Sequence, residues 1–283
     1  MTERPAGPAD LSVTLSNPKA ERVKRVAALA GRSARSRAGA ILVEGPQGVR
    51  EAVRFAAPRV RDVYLSPDAS LRYPEIAAEA LAADLYVHLG TDAVLDAMSA
   101  DAQGVVAVLD STGTSLDDVV AAAPKLVAVL SNVRDPGNAG TVIRCADAAG
   151  ADAVVLAGES VDPGNPKVIR STAGSLFHLP VARAPLAEAV DALRAAGLTV
   201  LAADGSGEDL LGDPTAGAGA GGSESLAGPT AWVFGNEAWG LRPDELELMD
   251  AVVRIPIHGH AESLNLGTAA AVCLYASATA QHA

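Results

Sequence analysis

Residues 125–144 read KLVAVLSNVRDPGNAGTVIR and carry the pattern that decides the fold of the C-terminal half. The apolar run at 125–131 predicts a buried strand, and the segment 139–150 predicts a helix that follows the Pro-Gly turn. The same order of strand and helix recurs toward the C-terminus. Further strands are predicted at 151–157, 179–182, 198–203, 230–235 and 251–257, and further helices at 165–174, 186–197 and 242–249. Strict alternation of this kind predicts a parallel sheet with helices on both faces.

A shorter alternation precedes this region. The segment 18–30, PKAERVKRVAALA, carries apolar residues at helical spacing, and a basic loop follows it. Beyond that loop we predict strands at 40–43, 60–66, 84–89 and 104–110, and helices at 45–56, 74–83 and 91–98. The pattern predicts a small α/β domain over residues 1–110, a polar linker over 111–124, and a second α/β domain over 125–283.

The composition narrows the class of protein. The chain has 283 residues, 49% of them hydrophobic, which excludes a disordered chain, and its 3% aromatic content makes base-stacking side chains scarce. Cys145 and Cys273 have no CxxC partner, which fits a reducing compartment and argues against zinc. Because no apolar run is long enough to span a membrane and residues 1–10 lack the order of a signal peptide, we expect a soluble, cytoplasmic protein.

Charge is distributed unevenly along the chain. The net charge is −12, yet residues 1–62 carry +6 and residues 63–283 carry −18. The positive end contains a group of cationic side chains that we call the basic segment. It consists of Lys19, Arg22, Lys24, Arg25, Arg32, Arg35 and Arg37. Salt screens charges beyond about 10 Å, so a polyanion would respond to this local field, but a solvated helix face explains the pattern equally well.

A glycine motif in the C-terminal half resembles a dinucleotide-binding fingerprint. Gly217, Gly219 and Gly222 satisfy GxGxxG. They follow no predicted strand and precede no apolar helix, as a Rossmann turn requires. We therefore interpret 206–229 as a flexible insertion, and an NAD enzyme is disfavoured.

The loop after the strand at 125–131 has the chemistry of an anion site. Asn132 and Asn138 flank a Pro-Gly turn, and Gly140 with Thr141 opens a helix that carries Arg144. Free N–H groups, amides and a guanidinium suit a phosphate or a ribose. A capped turn with a surface arginine is the alternative.

Two later loops also follow predicted strands. In VFGNEAWGL, Gly235 allows close backbone approach beside Glu237, although an ordinary turn has the same features. In IPIHGHAESLN, His258, His260 and Glu262 raise the possibility of a metal, but their spacing matches no recognised zinc pattern. We favour a turn in which Ser263 caps the next helix. Backbone groups of Ile255, Ile257 and Leu264 would then bind an adenine or an amino-acid moiety.

Together and in this order, the three loops resemble the motifs of the SpoU (TrmH-type) RNA ribose 2′-O-methyltransferases of the SPOUT superfamily. The resemblance covers about residues 125–280. The segment 40–53, AILVEGPQGVREAV, also resembles the small RNA-binding domain that precedes the catalytic domain in many members. Ala238 and Gly267 depart from the family pattern, but both are small and keep the backbone close.

The resemblance implies a parallel α/β domain with a deep trefoil knot, a homodimer, and an S-adenosylmethionine pocket formed by the three loops. The implied cofactor-binding residues are Leu201, Ala202, Ala203, Asp204, Gly205, Phe234, Gly235, Asn236, Glu237, Ile255, Ile257, Ser263, Leu264 and Asn265. The implied catalytic residues are Arg144, Asn138, Glu237, Ser263 and Asn265. RNA contacts are expected from the basic segment, Asn132 and Arg144, and no metal is expected.

The implied reaction is methyl transfer from S-adenosylmethionine to a ribose 2′-hydroxyl of RNA, with ribosomal RNA favoured over tRNA. The family treats the residue at Arg144 as central, sometimes as the base. A guanidinium stays protonated and has no acceptor, so we expect Arg144 to clamp the phosphate and the 2′-oxygen instead. The alternative from another class is a catalytically silent RNA-binding module of the same fold.

Overall fold

Two compact units divide the chain in the computed structural model, which describes residues 7–111, 113–212 and 221–283. Unit 1 comprises residues 1–112 and 163–177, and unit 2 comprises residues 113–162 and 178–283. The sequence placed the boundary near 110, close to this division. It gave no sign that a later segment, 163–177, belongs to the first unit.

Unit 1 is a mixed α/β unit. Its elements in the N-terminal part are β1 (Val13–Leu15), α1 (Glu21–Ala28), α2 (Arg32–Ala38), β2 (Ala40–Glu44), α3 (Pro46–Phe55), β3 (Val60–Leu65), α4 (Pro67–Arg72), α5 (Pro74–Ala82), β4 (Val87–Gly90), α6 (Asp92–Met98) and β5 (Val105–Asp110). The sheet has the order β1-β4-β3-β5-β2. Strand β5 runs antiparallel to both of its neighbours, whereas β4 runs parallel to both of its own.

The basic loop predicted after the first helix is in fact partly helical. Helix α2 spans Arg32–Ala38 and ends at Gly39, whose φ of 56° is left-handed. Local propensity is compatible with a helix, because Ala and Arg are good helix formers, but the segment has no large apolar residues at helical spacing to signal one. The segment is helical because it packs through Arg35, which is buried in unit 1.

Unit 2 contains the longer alternation. The elements from residue 113 onward, in chain order, are α7 (Leu116–Ala121), β6 (Leu126–Ser131), α8 (Pro136–Ala148), β7 (Ala153–Ala157), α9 (Pro166–Ser171), β8 (Val181–Ala184), α10 (Leu186–Ala195), β9 (Thr199–Ala203), β10 (Asp209–Leu210), α11 (Ser223–Leu226), β11 (Thr230–Phe234), α12 (Pro243–Leu246), β12 (Ala251–Arg254) and α13 (Leu266–Gln281). All but α9 belong to unit 2.

The sheet of unit 2 has seven strands in the order β10-β12-β9-β11-β6-β7-β8. Every pair of neighbours is parallel, so the predicted parallel α/β fold is confirmed. The central strands β6, β7 and β11 are buried along their whole length, as the continuous apolar runs require. Helix α13 packs on β11, where Trp232 Nε1 donates to Ser277 Oγ at 2.9 Å. The trefoil knot stays a prediction.

Two predictions about domain organisation need correction. The segment 111–124 is not only a linker, because it contains α7, whose Val119 is buried in the core of unit 2. The predicted helix at 165–174 exists as α9 but belongs to unit 1. Its Ile169 joins the core of that unit, and its Arg170 donates to Glu44 Oε1 at 2.8 Å. Long-range packing of this kind leaves no local signal.

The insertion at 206–229 is more ordered than predicted, since β10 and α11 lie within it. Gly217 and Gly219 of the GxGxxG pattern lie outside the described residues. Among the described helices, none has the length and apolar character needed to cross a membrane.

Candidate functional site

A cavity of about 720 Å³ lies at the carboxyl edge of the sheet of unit 2. Strands β12, β9 and β11 are parallel neighbours, so the loops that follow them meet at this edge. The last residues of these strands, Arg254, Ala203 and Phe234, all line the cavity. The start of α13 and Asn138 of α8 line it as well, so all three predicted loops contribute to one cavity.

Most residues predicted to bind the cofactor line this cavity. They are Ala203, Asp204, Gly205, Phe234, Gly235, Asn236, Glu237, Ile255, Ile257, Ser263, Leu264 and Asn265. Leu201 and Ala202 do not, which corrects that part of the prediction. Both are buried inside β9, where their side chains pack in the core, and only the end of the strand reaches the cavity.

The loop after β11 is a tight turn. Asn236 N donates to Gly240 O at 2.9 Å, and Gly240 N donates back to Asn236 O at 2.9 Å. Gly240 has a left-handed φ of 68°. A Cβ atom on Gly235 would lie 2.3 Å from the carbonyl carbon of Gly240. The backbone therefore requires glycine at both positions, and the turn has little freedom to change shape.

Three polar side chains from separate loops form a hydrogen-bonded series along the cavity, which we call the polar series: Glu237, Asn138 and Asn265. Asn138 Nδ2 donates to Glu237 Oε1 at 3.2 Å, and Asn138 Oδ1 accepts from Asn265 Nδ2 at 3.1 Å. Asp135 N donates to the same Glu237 oxygen at 3.2 Å. The series joins three of the five residues predicted to be catalytic.

The N-cap of α13 is Asn265, which corrects the prediction that Ser263 caps this helix. Asn265 Oδ1 accepts from Gly267 N at 2.9 Å. Ser263 lies exposed in the preceding loop, where it lines the cavity. Because asparagine and serine are about equally good N-caps, the sequence SLN allowed either.

Asn132 has a structural role, which corrects its prediction as an RNA contact. Its Nδ2 donates to Glu245 Oε1 at 2.9 Å, and its Oδ1 accepts from Glu159 N at 3.0 Å. Its carbonyl accepts from Asn236 Nδ2 at 2.7 Å, which ties the first loop to the second. With both ends of the amide hydrogen-bonded within the protein, Asn132 holds the loops in place.

Glu245 is a buried carboxylate that the sequence reading missed. Burial favours the neutral form, but hydrogen bonds from Arg242 N and Ser131 Oγ outweigh it and lower the pKa of Glu245. Its Oε1 also accepts from Asn132, so one ionised group supports the base of the first loop. A sequence signal for its role was available: Glu245 is the third residue of α12, a position where glutamate commonly accepts a hydrogen bond from the N-cap N–H.

Arg144 does not line the cavity of its own chain. It lies exposed on α8 and makes no hydrogen bond or ion pair with a residue of the described ranges. Tyr275 of α13 donates its hydroxyl to the carbonyl of Ala148, one helical turn beyond Arg144, at 3.2 Å. Arg144 therefore lies on an exposed face formed by α8 and α13.

A metal centre is not evident in the part of the chain that the structure describes, where no group of three potential ligands converges. His258, His260 and Glu262 are exposed in the loop before α13. Burial raises the pKa of the Cys273 thiol to about 12, so this sulfur stays protonated at neutral pH and is a poor ligand.

The basic segment is only partly available to a polyanion. Lys19, Lys24, Arg25, Arg32 and Arg37 are exposed. Arg22 and Arg35 are corrections to the prediction. Arg22 donates to Asp62 Oδ1 at 2.6 Å and to the Tyr64 hydroxyl at 3.0 Å. Arg35 is 6% exposed and donates to the carbonyl oxygens of Leu29 at 3.1 Å and Ala30 at 2.8 Å.

Two family models match the chain. Residues 125–275 match the SpoU rRNA Methylase family, and residues 42–112 match the model described as RNA 2′-O ribose methyltransferase substrate binding. The first match contains the three loops, and the second overlaps the segment 40–53; these are the parts of the sequence that resemble the SpoU family.

Curated relatives and solved structures agree with these models. The chain is 34% identical to a 23S rRNA (uridine(2479)-2′-O)-methyltransferase of Streptomyces viridochromogenes, over 88% of this chain and 86% of that protein. It is 42% identical to a 23S rRNA (guanosine(2553)-2′-O)-methyltransferase of Bacillus subtilis, over 54% of this chain but only 58% of that enzyme. An AdoMet-bound rRNA methyltransferase structure from Sinorhizobium meliloti superposes with a TM-score of 0.77 at 29% identity, covering 94% of this chain and 97% of that one.

The three loops meet at one cavity of a seven-stranded parallel sheet, and the family model matches the region that carries them. From this agreement of loops, fold and relatives it follows that the chain belongs to the SpoU rRNA Methylase family.

Proposed function

We propose that this protein transfers a methyl group from S-adenosylmethionine to a ribose 2′-hydroxyl of 23S rRNA. The observation that carries the proposal is the polar series, in which side chains from three separate loops meet along one cavity. The printed names of the Streptomyces and Bacillus relatives support the reaction and the choice of ribosomal over transfer RNA. A ribosomal substrate also supports a cytoplasmic location.

The cavity fits S-adenosylmethionine in size and in chemistry. Its volume of about 720 Å³ is within the usual range for small-molecule sites. Ile255, Ile257 and Leu264 offer apolar surface for an adenine, while Asp204 offers a carboxylate for ribose hydroxyls or an amino group. Bound S-adenosylmethionine supplies an electrophilic methyl group, so the protein's own contribution is alignment of the acceptor nucleotide.

Different residues of the site have different roles in aligning the acceptor nucleotide. Asn138 and Asn265 are held by the polar series and can orient the ribose, while Ser263 lies exposed at the cavity with a hydroxyl free to donate. Glu237 fixes the amide of Asn138 and keeps its direction. The guanidinium of Arg144 can only donate, so it binds the phosphate and the 2′-oxygen as negative charge develops there.

A homodimer accounts for the position of Arg144 outside its own cavity. Val272 and Tyr275 of α13 are 39% and 49% exposed, an apolar surface on the same α8 and α13 face that carries Arg144. Pairing of this face with a second copy would cover the apolar groups and bring Arg144 toward the partner's cavity.

Sedimentation tests the homodimer. We expect the wild-type chain to sediment as a dimer, and the variant Val272→Asp, Tyr275→Asp to sediment as a monomer, because buried carboxylates without partners oppose association. The control is Lys125→Asp, an exposed position at the start of β6. A wild-type monomer, or a double variant that dimerises as wild type does, would contradict the proposal.

The exposed part of the basic segment supplies long-range attraction for RNA. We expect Arg32→Ala, Arg37→Ala to weaken 23S rRNA binding and to lower the slope of log affinity against log salt by about two, since each phosphate contact contributes about one. Affinity for S-adenosylmethionine should not change. Filter binding over a salt series measures both quantities.

Arg35→Ala is the matched comparison. Its side chain is buried against the end of α1, so removing it should lower the free energy of unfolding by about 1–3 kcal/mol, because two backbone carbonyls lose a charged donor. Its salt slope should equal that of the wild type. If the Arg32→Ala, Arg37→Ala variant keeps the wild-type slope of log affinity against log salt, these two residues are solvated and do not contact RNA.

A methyl-transfer assay tests the proposed function directly. Labelled S-adenosylmethionine and unmodified 23S rRNA should give a 2′-O-methylated nucleotide, and exhaustive EDTA should leave the rate unchanged. Saturable RNA binding without methyl transfer would favour the silent RNA-binding module. Loss of transfer with EDTA, restored by zinc, would show that a metal takes part.

A further inference from the structure

Trp239 and Arg134 form an exposed cation–π pair beside the cavity. The guanidinium carbon of Arg134, in the first loop, lies 5.6 Å from the centre of the Trp239 ring, in the second loop. Trp239 lies between Ala238 and Gly240, which both line the cavity, although Trp239 itself does not. The pair therefore adjoins the cofactor cavity without being part of its wall.

Trp239 is one of several exposed aromatic side chains, and it is set apart by its place beside the cavity. Trp239 is 49% exposed with Arg134 against it, whereas Trp232, the other tryptophan, is fully buried. A large aromatic group gains free energy from burial, so an indole exposed beside a functional cavity is available to stack on a bound group. Because only 3% of the residues are aromatic, few side chains of this protein could stack on a base.

The turn that carries Trp239 is rigid. Reciprocal backbone hydrogen bonds of 2.9 Å join Asn236 and Gly240, and Asn236 Oδ1 accepts from Ala238 N at 2.9 Å. The backbone of Gly240 packs closely on Gly235, where an added Cβ would lie 2.3 Å from the Gly240 carbonyl carbon. Because the backbone is fixed on both sides of Trp239, a bound group would meet a surface that is ordered in advance.

Arg134 has unused hydrogen-bonding capacity. Residues 63–283 carry a net charge of −18, yet Arg134 makes no ion pair or hydrogen bond within the described ranges. A guanidinium over an indole places a cation beside the flat ring and keeps N–H donors for an anion. A flat surface combined with a cation matches a nucleobase and its phosphate.

We propose that Trp239 and Arg134 form a base-binding platform, which stacks an unpaired RNA base next to the ribose that is methylated. This inference rests on the proposed function. The platform holds the flanking nucleotide while the polar series orients the reacting one. It acts on the RNA and leaves the cofactor site unchanged, so both residues are positioning residues.

Four variants test the platform, each titrated with unmodified 23S rRNA. Trp239→Ala should weaken binding about five- to a hundredfold, because stacking of one base on an aromatic ring is lost. Trp239→Phe keeps a ring and should stay within about threefold of the wild type. Arg134→Ala should lower the salt slope by about one, and Arg134→Lys should restore that slope without restoring full affinity.

Tryptophan fluorescence gives an independent readout with the single-stranded probe hexaadenylate. The probe should quench wild-type emission, since Trp239 is exposed, and should not quench Trp239→Phe, in which the buried Trp232 remains. Calorimetry with S-adenosylmethionine should give equal affinity for wild type and Trp239→Ala. In single-turnover methylation, Trp239→Ala should raise the RNA concentration needed for half-maximal rate.

Three results would overturn the platform. Unchanged RNA affinity in Trp239→Ala would mean that the ring binds no base. Weakened S-adenosylmethionine affinity would assign the ring to the cofactor. A monomeric Trp239→Ala in sedimentation would assign it to contact with a second copy. If the wild type transfers no methyl group but Trp239→Ala still loses RNA affinity, the proposed function fails and the platform stands.

Discussion

Replacing Arg144 with alanine should lower the single-turnover rate of methyl transfer by about a hundredfold or more at saturating RNA, the usual effect of removing one donor that stabilises developing charge. Affinity for S-adenosylmethionine should stay at the wild-type value, because Arg144 does not line the cavity of its own chain and its proposed contacts at the partner's cavity are with the RNA. The melting temperature should also stay unchanged, since this exposed side chain has no hydrogen bond or ion pair in the described ranges. Quenched-flow methylation and calorimetry measure these quantities.

Arg144→Lys is the matched control. It keeps the positive charge but loses the planar fork that can bind a phosphate and a 2′-oxygen together, so we expect an intermediate rate. A rate equal to that of the wild type in Arg144→Ala would show that the reacting ribose lies elsewhere. A loss of cofactor affinity in the same variant would place Arg144 in the cofactor site.

Gly235→Ala should lower S-adenosylmethionine affinity about five- to a hundredfold. The added Cβ would lie 2.3 Å from the carbonyl carbon of Gly240, and a backbone contact can be relieved only by moving the turn that lines the cavity. Overpacking of this kind has a free-energy cost of about 1–3 kcal/mol, which corresponds to that range of affinity. Calorimetry measures the change in affinity, and thermal unfolding measures the accompanying loss of stability.

Gly259→Ala is the control for this substitution. A Cβ on Gly259 meets no atom within 4 Å, and the residue lies in the third loop outside the cavity lining. Its cofactor affinity should equal that of the wild type. If Gly235→Ala also binds normally, the turn after β11 is more adaptable than its hydrogen bonds indicate, and its part in cofactor binding is in doubt.

Mixing the Arg144→Ala and Gly235→Ala variants, at an S-adenosylmethionine concentration that saturates only an intact cavity, separates action within one chain from action across a dimer. If Arg144 serves the partner's cavity, a mixed dimer combines the intact cavity of Arg144→Ala with the intact Arg144 of Gly235→Ala. Refolding the two variants together should then restore methyl transfer. Activity that stays at the level of the separate variants would place each Arg144 with the cavity of its own chain.

The local sequence pattern was enough to predict many of the strands and loops of unit 2. Strands β6, β7 and β11 were predicted because four or five consecutive apolar residues fit a strand buried on both faces. The loops after β6, β11 and β12 were identified because polar and glycine residues follow those runs directly. Since parallel strands end at one edge, their convergence on one cavity could be expected before the structure was known. The predicted family is confirmed as well.

The direction in which individual side chains point could not be predicted from the sequence. Arg35 and Arg37 differ by two positions in one basic run, yet the first is buried and the second is exposed, because only one faces the body of unit 1. Asn132 and Asn138 both flank the same Pro-Gly turn, but only Asn138 reaches the cavity. Such differences depend on what packs against each side of a turn or helix.

Strand periodicity and loop chemistry are encoded in neighbouring residues, so the alternating architecture, the order of the three loops and the family could be predicted without the structure. Tertiary structure alone decided that α9 belongs to unit 1, that Leu201 and Ala202 stop short of the cavity, and that Arg134 of one loop lies on Trp239 of another. Each of these depends on contacts between residues far apart in the chain, and those contacts form only when the sheet brings its strand ends together.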